Sequence, residues 1–103
     1  MEKRTPHSSL EKVRNLVGKG IVRITKSAHR DAELMHFGLA DMYRVVCELS
    51  PQDFYKSMTT YDDHRIWQDV YHCHLDKVSL YVKLTVVDDV LIVSFKELNH
   101  ALP

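Results

Sequence analysis

Hydrophobic positions repeat with a period of 3.6 residues in the first half of the chain and with a period of two in the second half. The apolar residues between Leu10 and Val17 recur at the spacing of one helical face. Ser8 and Glu11 are spaced to form a capping box, in which each side chain bonds the backbone N–H group of the other residue. This pattern predicts a first helix that begins at the box and ends at Gly18 or Gly20.

One short strand and two more helices are predicted before the period changes. Thr25 or Ser27 can cap the second helix, which runs to about Phe37 and is broken by Gly38. A proline ends the third helix, because the residue before a proline avoids helical backbone angles. The predicted segments are a strand at Ile21–Ile24 and a third helix from Leu39 to Leu49, stopped by Ser50 and Pro51.

The segment from Asp53 to Lys96 predicts three consecutive β-hairpins. β-Branched and aromatic residues alternate there with polar ones, and three polar breaks divide the segment into strands. The breaks are Tyr61–His64, His74–Lys77 and Asp88–Asp89. Helices followed by strands are typical of an α+β domain. We therefore predict a two-layer α+β fold, residues 1–103, with N-terminal helices packed on a mainly antiparallel sheet.

The last predicted hairpin gathers polar side chains on one face of the sheet. A two-residue turn at Asp88–Asp89 brings the apolar residues of both strands to the same face, as a correct register should. Tyr81 and Lys83 then stand beside Lys96 on the opposite, polar face. The pairs that follow from this turn are Val87 with Val90, Leu84 with Val93, Val82 with Phe95 and Tyr81 with Lys96.

The other two hairpins are less constrained by the pattern. A four-residue loop at His74–Lys77 pairs Gln68 with Lys83 and puts Gln68 within reach of Tyr81. The same register places Asp69 on the apolar face, where a carboxylate needs a partner or an edge position.

The position of Lys56 depends on the loop of the first hairpin. A two-residue turn at Asp62–Asp63 puts Lys56 on the face opposite Gln68, whereas an odd-length loop or a bulge puts both on one face. The pattern alone leaves both alternatives open.

Composition and charge are those of a small globular protein. The chain has no apolar run of the ~20 residues that a membrane span needs, and no secretory signal follows its first residues. Cys47 and Cys73 lie far apart and are expected to be free thiols in a reducing cytoplasm. The net charge is zero, but residues 1–30 are strongly basic, which indicates either a polyanionic partner or a solvated helix face.

Lysines, a phenol and an amide on one face suit the cleavage of an RNA phosphodiester by its own 2′-hydroxyl. That reaction needs a base, an acid and cations for the phosphoryl oxygens. Edge-protecting lysines and an ordinary β-forming tyrosine would give the same pattern. We expect no metal site, since His72 and His74 share one side of a strand without a second ligand pair. They and His64 are interpreted as surface or turn histidines.

Five runs of residues are distinctive: Asp53–Tyr61, Asp63–His64, Ile66–Tyr71, the opening Met1–His7 and the closing Asp89–Lys96. Together they span nearly the whole chain and closely resemble the motility quorum-sensing regulator (MqsR) toxin family. It implies a RelE-like toxin fold and the metal-independent cleavage of messenger RNA at short GC-containing sequences. It also implies that Lys56, Gln68 and Tyr81 are the catalytic residues, with Lys96 nearby. We expect Lys96 and Lys83 to bind RNA phosphates.

The resemblance further implies a cognate antitoxin of the MqsA type. Such an antitoxin holds the toxin through a zinc-binding N-terminal domain and binds DNA through a helix-turn-helix domain, so this chain would meet DNA only indirectly. No cofactor and no membrane are expected for the chain itself. The alternative is a protein without catalysis, which binds RNA or acts only with its antitoxin in transcriptional autoregulation.

Overall fold

The computed structural model describes residues 1–99, and the last four residues of the predicted domain lie outside that range. Three helices are present there: α1 (Leu10–Gly18), α2 (Lys26–Leu34) and α3 (Leu39–Glu48). The strands are β1 (Glu2–Lys3), β2 (Val22–Ile24), β3 (Phe54–Thr59), β4 (Trp67–His74), β5 (Ser79–Val86) and β6 (Val90–Glu97). No helix within residues 1–99 is long and apolar enough to cross a membrane.

The strands form one mixed sheet in the order β1-β3-β4-β5-β6-β2. The three hairpins from β3 to β6 are confirmed, and so is the α+β class. The expectation of an antiparallel sheet holds for four of the pairings, but β2 runs parallel to β6. Strand β1 was not predicted, because two residues are too few to show an alternating pattern.

One hydrophobic core joins the three helices to strands β4, β5 and β6. Its fully buried members include Val13 and Met42 from the helices and Tyr71, Val82 and Phe95 from the sheet. Because side chains on a strand alternate between faces, each central strand turns its other face away from this core. The side chains of chemical interest lie on that second face.

Local backbone bonds define where the helices begin and end. The predicted capping box is wrong by one residue, because Ser9 rather than Ser8 accepts the N–H bond of Lys12 at 3.1 Å. Helix α2 is capped by Thr25, as predicted, but ends at Leu34 instead of Phe37.

The end of α2 is a Schellman turn. The N–H groups of His36 and Phe37 bond to the carbonyls of Glu33 and Ala32. His36 takes the left-handed conformation, with φ of 66°, at the position that usually holds glycine. The ring of Phe37 then packs against Phe95, with centroids 5.5 Å apart, so tertiary packing outweighs the helical tendency of this segment.

Two deviations from the predicted register cancel in the last hairpin. The loop has three residues, so Val86 rather than Val87 pairs with Val90, and Leu84 pairs with Ile92. A bulge at Val93 then restores the expected pairs of Val82 with Phe95 and Tyr81 with Lys96. The hydroxyl of Thr25 donates to the Val93 carbonyl at 2.8 Å, which satisfies the backbone group that the bulge leaves out of the ladder.

The middle hairpin is displaced by one loop residue from the prediction. The closing pair is His74 with Ser79, so the predicted pairing of Gln68 with Lys83 is wrong, and Val70 pairs with Lys83 instead. Moving the loop by one residue shifts the register by two. Since strands alternate with a period of two, every side chain keeps its predicted face.

The first hairpin has an odd-length loop, which settles the position of Lys56. Met58 pairs with Gln68 and Lys56 with Val70, so Lys56 shares the face of Gln68. A second bulge, at Tyr55, lies nearer the start of the strand.

Asp69 faces the core side of the sheet and finds the partner that burial requires. Its carboxylate is 4% exposed and accepts the backbone N–H groups of His7, at 2.9 and 3.1 Å, and of Ser8, at 3.0 Å. These bonds tie the segment that precedes α1 to the middle of strand β4. A buried carboxylate thus holds the N-terminal segment against the sheet.

We predict that Asp69→Ala lowers the free energy of unfolding by roughly 2–4 kcal/mol, because two backbone N–H groups lose a charged acceptor. Urea unfolding at neutral pH measures this loss. Asp62→Ala removes an exposed carboxylate from the loop between β3 and β4 and should change the stability by less than about 0.5 kcal/mol. Equal effects of the two substitutions would contradict the role given to Asp69.

Candidate active site

The five side chains singled out from the sequence lie on the face of the sheet turned away from the core. We call this surface the lysine face; its defining residues are Lys56, Gln68, Tyr81, Lys83 and Lys96. Residues that are directly paired across neighbouring strands share a face. Three rows of such partners cross the sheet on this surface: Lys56–Val70–Lys83–Ser94, His72–Tyr81–Lys96 and Glu2–Met58–Gln68.

The bulge at Tyr55 adds an aromatic ring to the lysine face. Its ring stacks on the imidazole of His72, with centroids 4.1 Å apart and planes 19° apart. On the neighbouring strand, the ring of Tyr81 lies 5.8 Å from His72. Three rings therefore follow one another across three strands.

Sequence reasoning missed Tyr55 and His72. The predicted register of the middle hairpin is off by two residues, so it pairs His72 with Ser79 instead of Tyr81. No pattern in the sequence reveals the bulge that brings Tyr55 to this face. In the structure His72 is half-buried in β4 rather than in a surface loop. Burial, helped by His74 and Lys56, lowers the pKa of its imidazole. His72 is therefore a neutral ring near neutral pH.

Val70 lies at the centre of the lysine face and is fully buried. Lys56 and Lys83 are its neighbours on the two flanking strands. Long lysine side chains bury their methylene stems while the ammonium groups stay near solvent. The apolar patch at Val70 therefore supports both lysines above the sheet.

Lys56 is held by an acid from the neighbouring edge strand. Its ammonium nitrogen lies 2.8 Å from Oε2 of Glu2. This hydrogen bond raises the pKa of Lys56 and lowers the pKa of Glu2. Lys56 is thus a permanent cation at physiological pH.

Lys83 is in the opposite electrostatic situation. It is half-buried, and burial, together with the nearby charges of Lys96 and Lys56, lowers the pKa of its ammonium group. No ion pair of Lys83 occurs within residues 1–99. Lys83 is therefore the lysine of this face that loses its proton most easily.

Tyr81 connects the cations of the lysine face. The ammonium groups of Lys96 and Lys83 lie 5.3 and 5.9 Å from the centre of its ring. Burial raises the pKa of its phenol above the usual value, against the smaller opposing effect of Lys56. The hydroxyl of Tyr81 is therefore protonated at neutral pH and available as a donor.

A groove of about 870 Å³ opens at one end of the lysine face. Gln68 and Lys83 line it, together with His64 and Tyr61 from the loop between β3 and β4. Lys56, Tyr81 and Lys96 lie outside this groove, on the adjoining surface. Gln68 and Lys83 of the predicted set therefore share this groove with His64, for which the sequence predicts a surface or turn position.

The part of the chain from residue 1 to 99 contains no group of three or more His, Cys, Asp or Glu side chains that could hold a metal ion. Cys47 and Cys73 are free thiols, as predicted.

Three cations, a protonated phenol and an amide on one face of this α+β protein form a surface whose charge and hydrogen-bond donors suit a phosphodiester backbone. The comparisons identify the family. The family model described as "Motility quorum-sensing regulator, toxin of MqsA" matches residues 5–97. The mRNA interferase toxin MqsR of Escherichia coli (strain K12) is 55% identical over 97 residues, which cover 94% of this chain and 99% of that protein. The chain belongs to the MqsR toxin family.

We predict that Lys83→Met stabilises the fold at neutral pH by up to about 1 kcal/mol, because it removes a half-buried charge. A lysine whose pKa is lowered on folding destabilises the folded state fully below its folded pKa, and not at all above its unfolded pKa of about 10.4. The gain should therefore shrink as the pH approaches 10.

Urea unfolding at pH 7 and at pH 10 tests this expectation. Lys77→Met, at an exposed loop position, is the matched control and should leave the stability nearly unchanged at both pH values. A loss of stability in Lys83→Met at pH 7 would contradict the electrostatic assignment.

Proposed function

We propose that the lysine face carries the endoribonuclease activity of this MqsR-family toxin and that it works without a metal ion. The observation that carries the proposal is the meeting of three lysines, Tyr81 and Gln68 on one face. Messenger RNA is cut at short GC-containing sequences, which inhibits translation and growth. The relative from E. coli is named an mRNA interferase toxin, which supports the choice of substrate.

The chemistry follows from what each group offers. The 2′-hydroxyl of a ribose loses its proton to water as its oxygen attacks the adjacent phosphorus, and the bond from phosphorus to the 5′-oxygen breaks. The 5′-oxygen takes up a proton, so the products are a 2′,3′-cyclic phosphate and a 5′-hydroxyl. Lys56 and Lys96 stabilise the charge on the phosphoryl oxygens. Tyr81 gives a proton or a hydrogen bond to the leaving 5′-oxygen, since its phenol is protonated. Gln68 positions the RNA through its amide.

Lys83 binds an RNA phosphate beside the reacting one. Its place in the groove with Gln68 supports this role. An approaching phosphate offsets the repulsion between Lys83 and its neighbours Lys56 and Lys96. Binding of RNA therefore raises the pKa of Lys83 back toward the ordinary value.

The stacked rings of Tyr55, His72 and Tyr81 form a platform for the bases next to the cut. Single-stranded RNA is bound largely by stacking of unpaired bases on aromatic side chains. The neutral state of His72 suits this role, because the ring then presents an aromatic face without a charge.

The family also supports proposals about fold and partners. We assign residues 1–103 to one RelE-like toxin domain that acts in the cytoplasm. A cognate antitoxin of the MqsA type neutralises it through a zinc-binding N-terminal domain. The helix-turn-helix domain of that antitoxin links the complex to DNA. The family description, which names a toxin of MqsA, supports this pairing.

We predict that the purified protein cleaves RNA in the presence of EDTA. The triple variant Lys56→Ala, Gln68→Ala, Tyr81→Phe should lose at least about 10³-fold in rate, because it removes charge stabilisation, positioning and the proton donor together. Primer extension locates the cuts, and end-group analysis should find the cyclic phosphate and the 5′-hydroxyl. Cleavage that the triple variant retains in full would refute the assignment.

Primer extension and expression in cells together separate the rival functions. An RNA-binding protein without catalysis would retain RNA and give no cut products. A protein that acts only within an antitoxin complex would not arrest growth when it is expressed alone. For the toxin, growth should stop on expression and resume when the cognate antitoxin is co-expressed.

We predict that Tyr55→Leu raises KM for RNA by roughly 5- to 150-fold with little change in kcat, since a base–aromatic stack contributes about 1–3 kcal/mol. Tyr55→Phe keeps the ring and should keep most of the affinity. Steady-state cleavage of a short RNA measures both constants. If Tyr55→Phe and Tyr55→Leu are equally impaired, the ring is not a stacking platform.

A further inference from the structure

The first eight residues are fixed along the edge of the sheet by several independent contacts. Strand β1 pairs with β3, and the ammonium group of Lys3 lies 4.1 Å from the centre of the Trp67 indole ring. The imidazole of His7 stacks on the same indole, with centroids 5.7 Å apart. Asp69 binds the backbone of His7 and Ser8 from the core side. The position of this segment is therefore determined by the fold.

The segment places an acidic side chain on the lysine face. Glu2 pairs with Met58 across the ladder, so its side chain points to the same side of the sheet as Gln68. From there the carboxylate reaches diagonally to Lys56, and the two charged groups meet at 2.8 Å. The sequence alone did not single out Glu2, because a strand of two residues leaves no pattern.

We propose that Glu2 is a positioning residue of the active site, whose carboxylate holds the ammonium group of Lys56 in place for the phosphodiester. This role rests on the proposed function of the lysine face. It adds a residue from the N-terminal strand to a site otherwise built from β3 to β6.

The geometry allows Glu2 to hold Lys56 without blocking it. A lysine ammonium group has three N–H donors, and the 2.8 Å bond to Glu2 uses one of them. Two donors remain for phosphoryl oxygens. The side chain of Glu2 is 56% exposed, so water screens its repulsion of the phosphate. Lys83 and Lys96 add two positive charges on the same face.

Lys56 needs such a partner because its surroundings otherwise disfavour a fixed charge. Its side chain is only 22% exposed, and burial alone would lower its pKa. A long, unpaired lysine would also lose conformational entropy on binding phosphate, which a pre-oriented one does not. The titratable or charged groups that face Lys56 from the surrounding strands are Glu2, Tyr55, His72, Tyr81 and Lys83.

The kinetic test compares Glu2→Gln and Glu2→Asp with the native protein. Glu2→Gln should lower kcat by roughly 10- to 100-fold with KM nearly unchanged, the size of effect that a small misplacement of a catalytic group produces. Glu2→Asp keeps the charge on a shorter side chain and should recover part of the loss. In a Lys56→Met background, Glu2→Gln should have no further effect, because the two residues act as a unit.

Glu33→Gln is the matched control. Glu33 forms an exposed ion pair with His29 on α2, so its substitution makes the same change of charge away from the lysine face. It should leave kcat unchanged. Both variants should remain folded, and Glu33→Gln should keep the native melting temperature, since exposed ion pairs contribute little to stability.

A second measurement does not depend on RNA. The pKa of Lys56, followed by NMR of its labelled side chain, should fall in Glu2→Gln, since the carboxylate raises it in the native protein. Glu33→Gln should not change it. An unchanged Lys56 pKa, or a kcat that stays the same or rises in Glu2→Gln, would overturn the proposal. A rise would mean that Glu2 competes with the phosphate.

The two measurements separate the failure of this inference from the failure of the proposed function. The native protein could cleave no RNA while the Lys56 titration behaves as expected. The proposed catalytic function would then be wrong, and so would the positioning role of Glu2, but the ion pair between Glu2 and Lys56 would be confirmed. If the native protein cleaves RNA and Glu2→Gln keeps full kcat, only the role of Glu2 fails.

Discussion

The alternation of side chains along each strand is the constraint on which the rest of this structure depends. Every group of the lysine face stands on a strand, so one added or missing residue in a loop would send it into the core. Two features keep the groups together: an odd-length loop after β3 and the bulge at Val93. The bulge at Tyr55 adds its ring to the same face. The same alternation buries Tyr71, Val82 and Phe95 on the other side. Core and site are thus two results of one register.

The two lysines beside Val70 show how similar side chains on one surface can have different pKa values. Lys56 has a carboxylate partner, whereas Lys83 is half-buried and has two other lysines nearby. The first arrangement stabilises the fold locally, and the second destabilises it. Strain of this kind is concentrated at functional sites, because a ligand of opposite charge relieves it on binding. The lysine face of the free protein therefore carries electrostatic repulsion that a bound anion would relieve.

Much of the fold follows from the sequence because its signals are local. The three hairpins and the Thr25 cap each depend on a few neighbouring residues, and both are found. The face of every residue in the middle hairpin was also predicted correctly in spite of a wrong register, since a slip of two residues preserves alternation. The pairing of Tyr81 with Lys96 survived because a longer turn and a bulge compensate each other.

What the sequence did not predict depends on contacts between distant segments. The bulge at Val93 is held by the hydroxyl of Thr25, 68 residues earlier in the chain. The left-handed His36 ends α2 early because Phe37 packs on Phe95. Strand β1, with Glu2, exists only because β3 offers it an edge. The face of Lys56 depends on the length of the loop after β3, which periodicity left open.

The order of the strands has a consequence for the synthesis of the protein. The lysine face takes residues from both ends of the described chain, since Glu2 stands on β1 and Lys96 on β6. Strand β6 also separates β5 from the parallel strand β2. A nascent chain that still holds β6 inside the ribosome has an unpaired β5 edge and lacks Lys96. A chain that lacks β6 therefore has neither a closed core nor a complete lysine face.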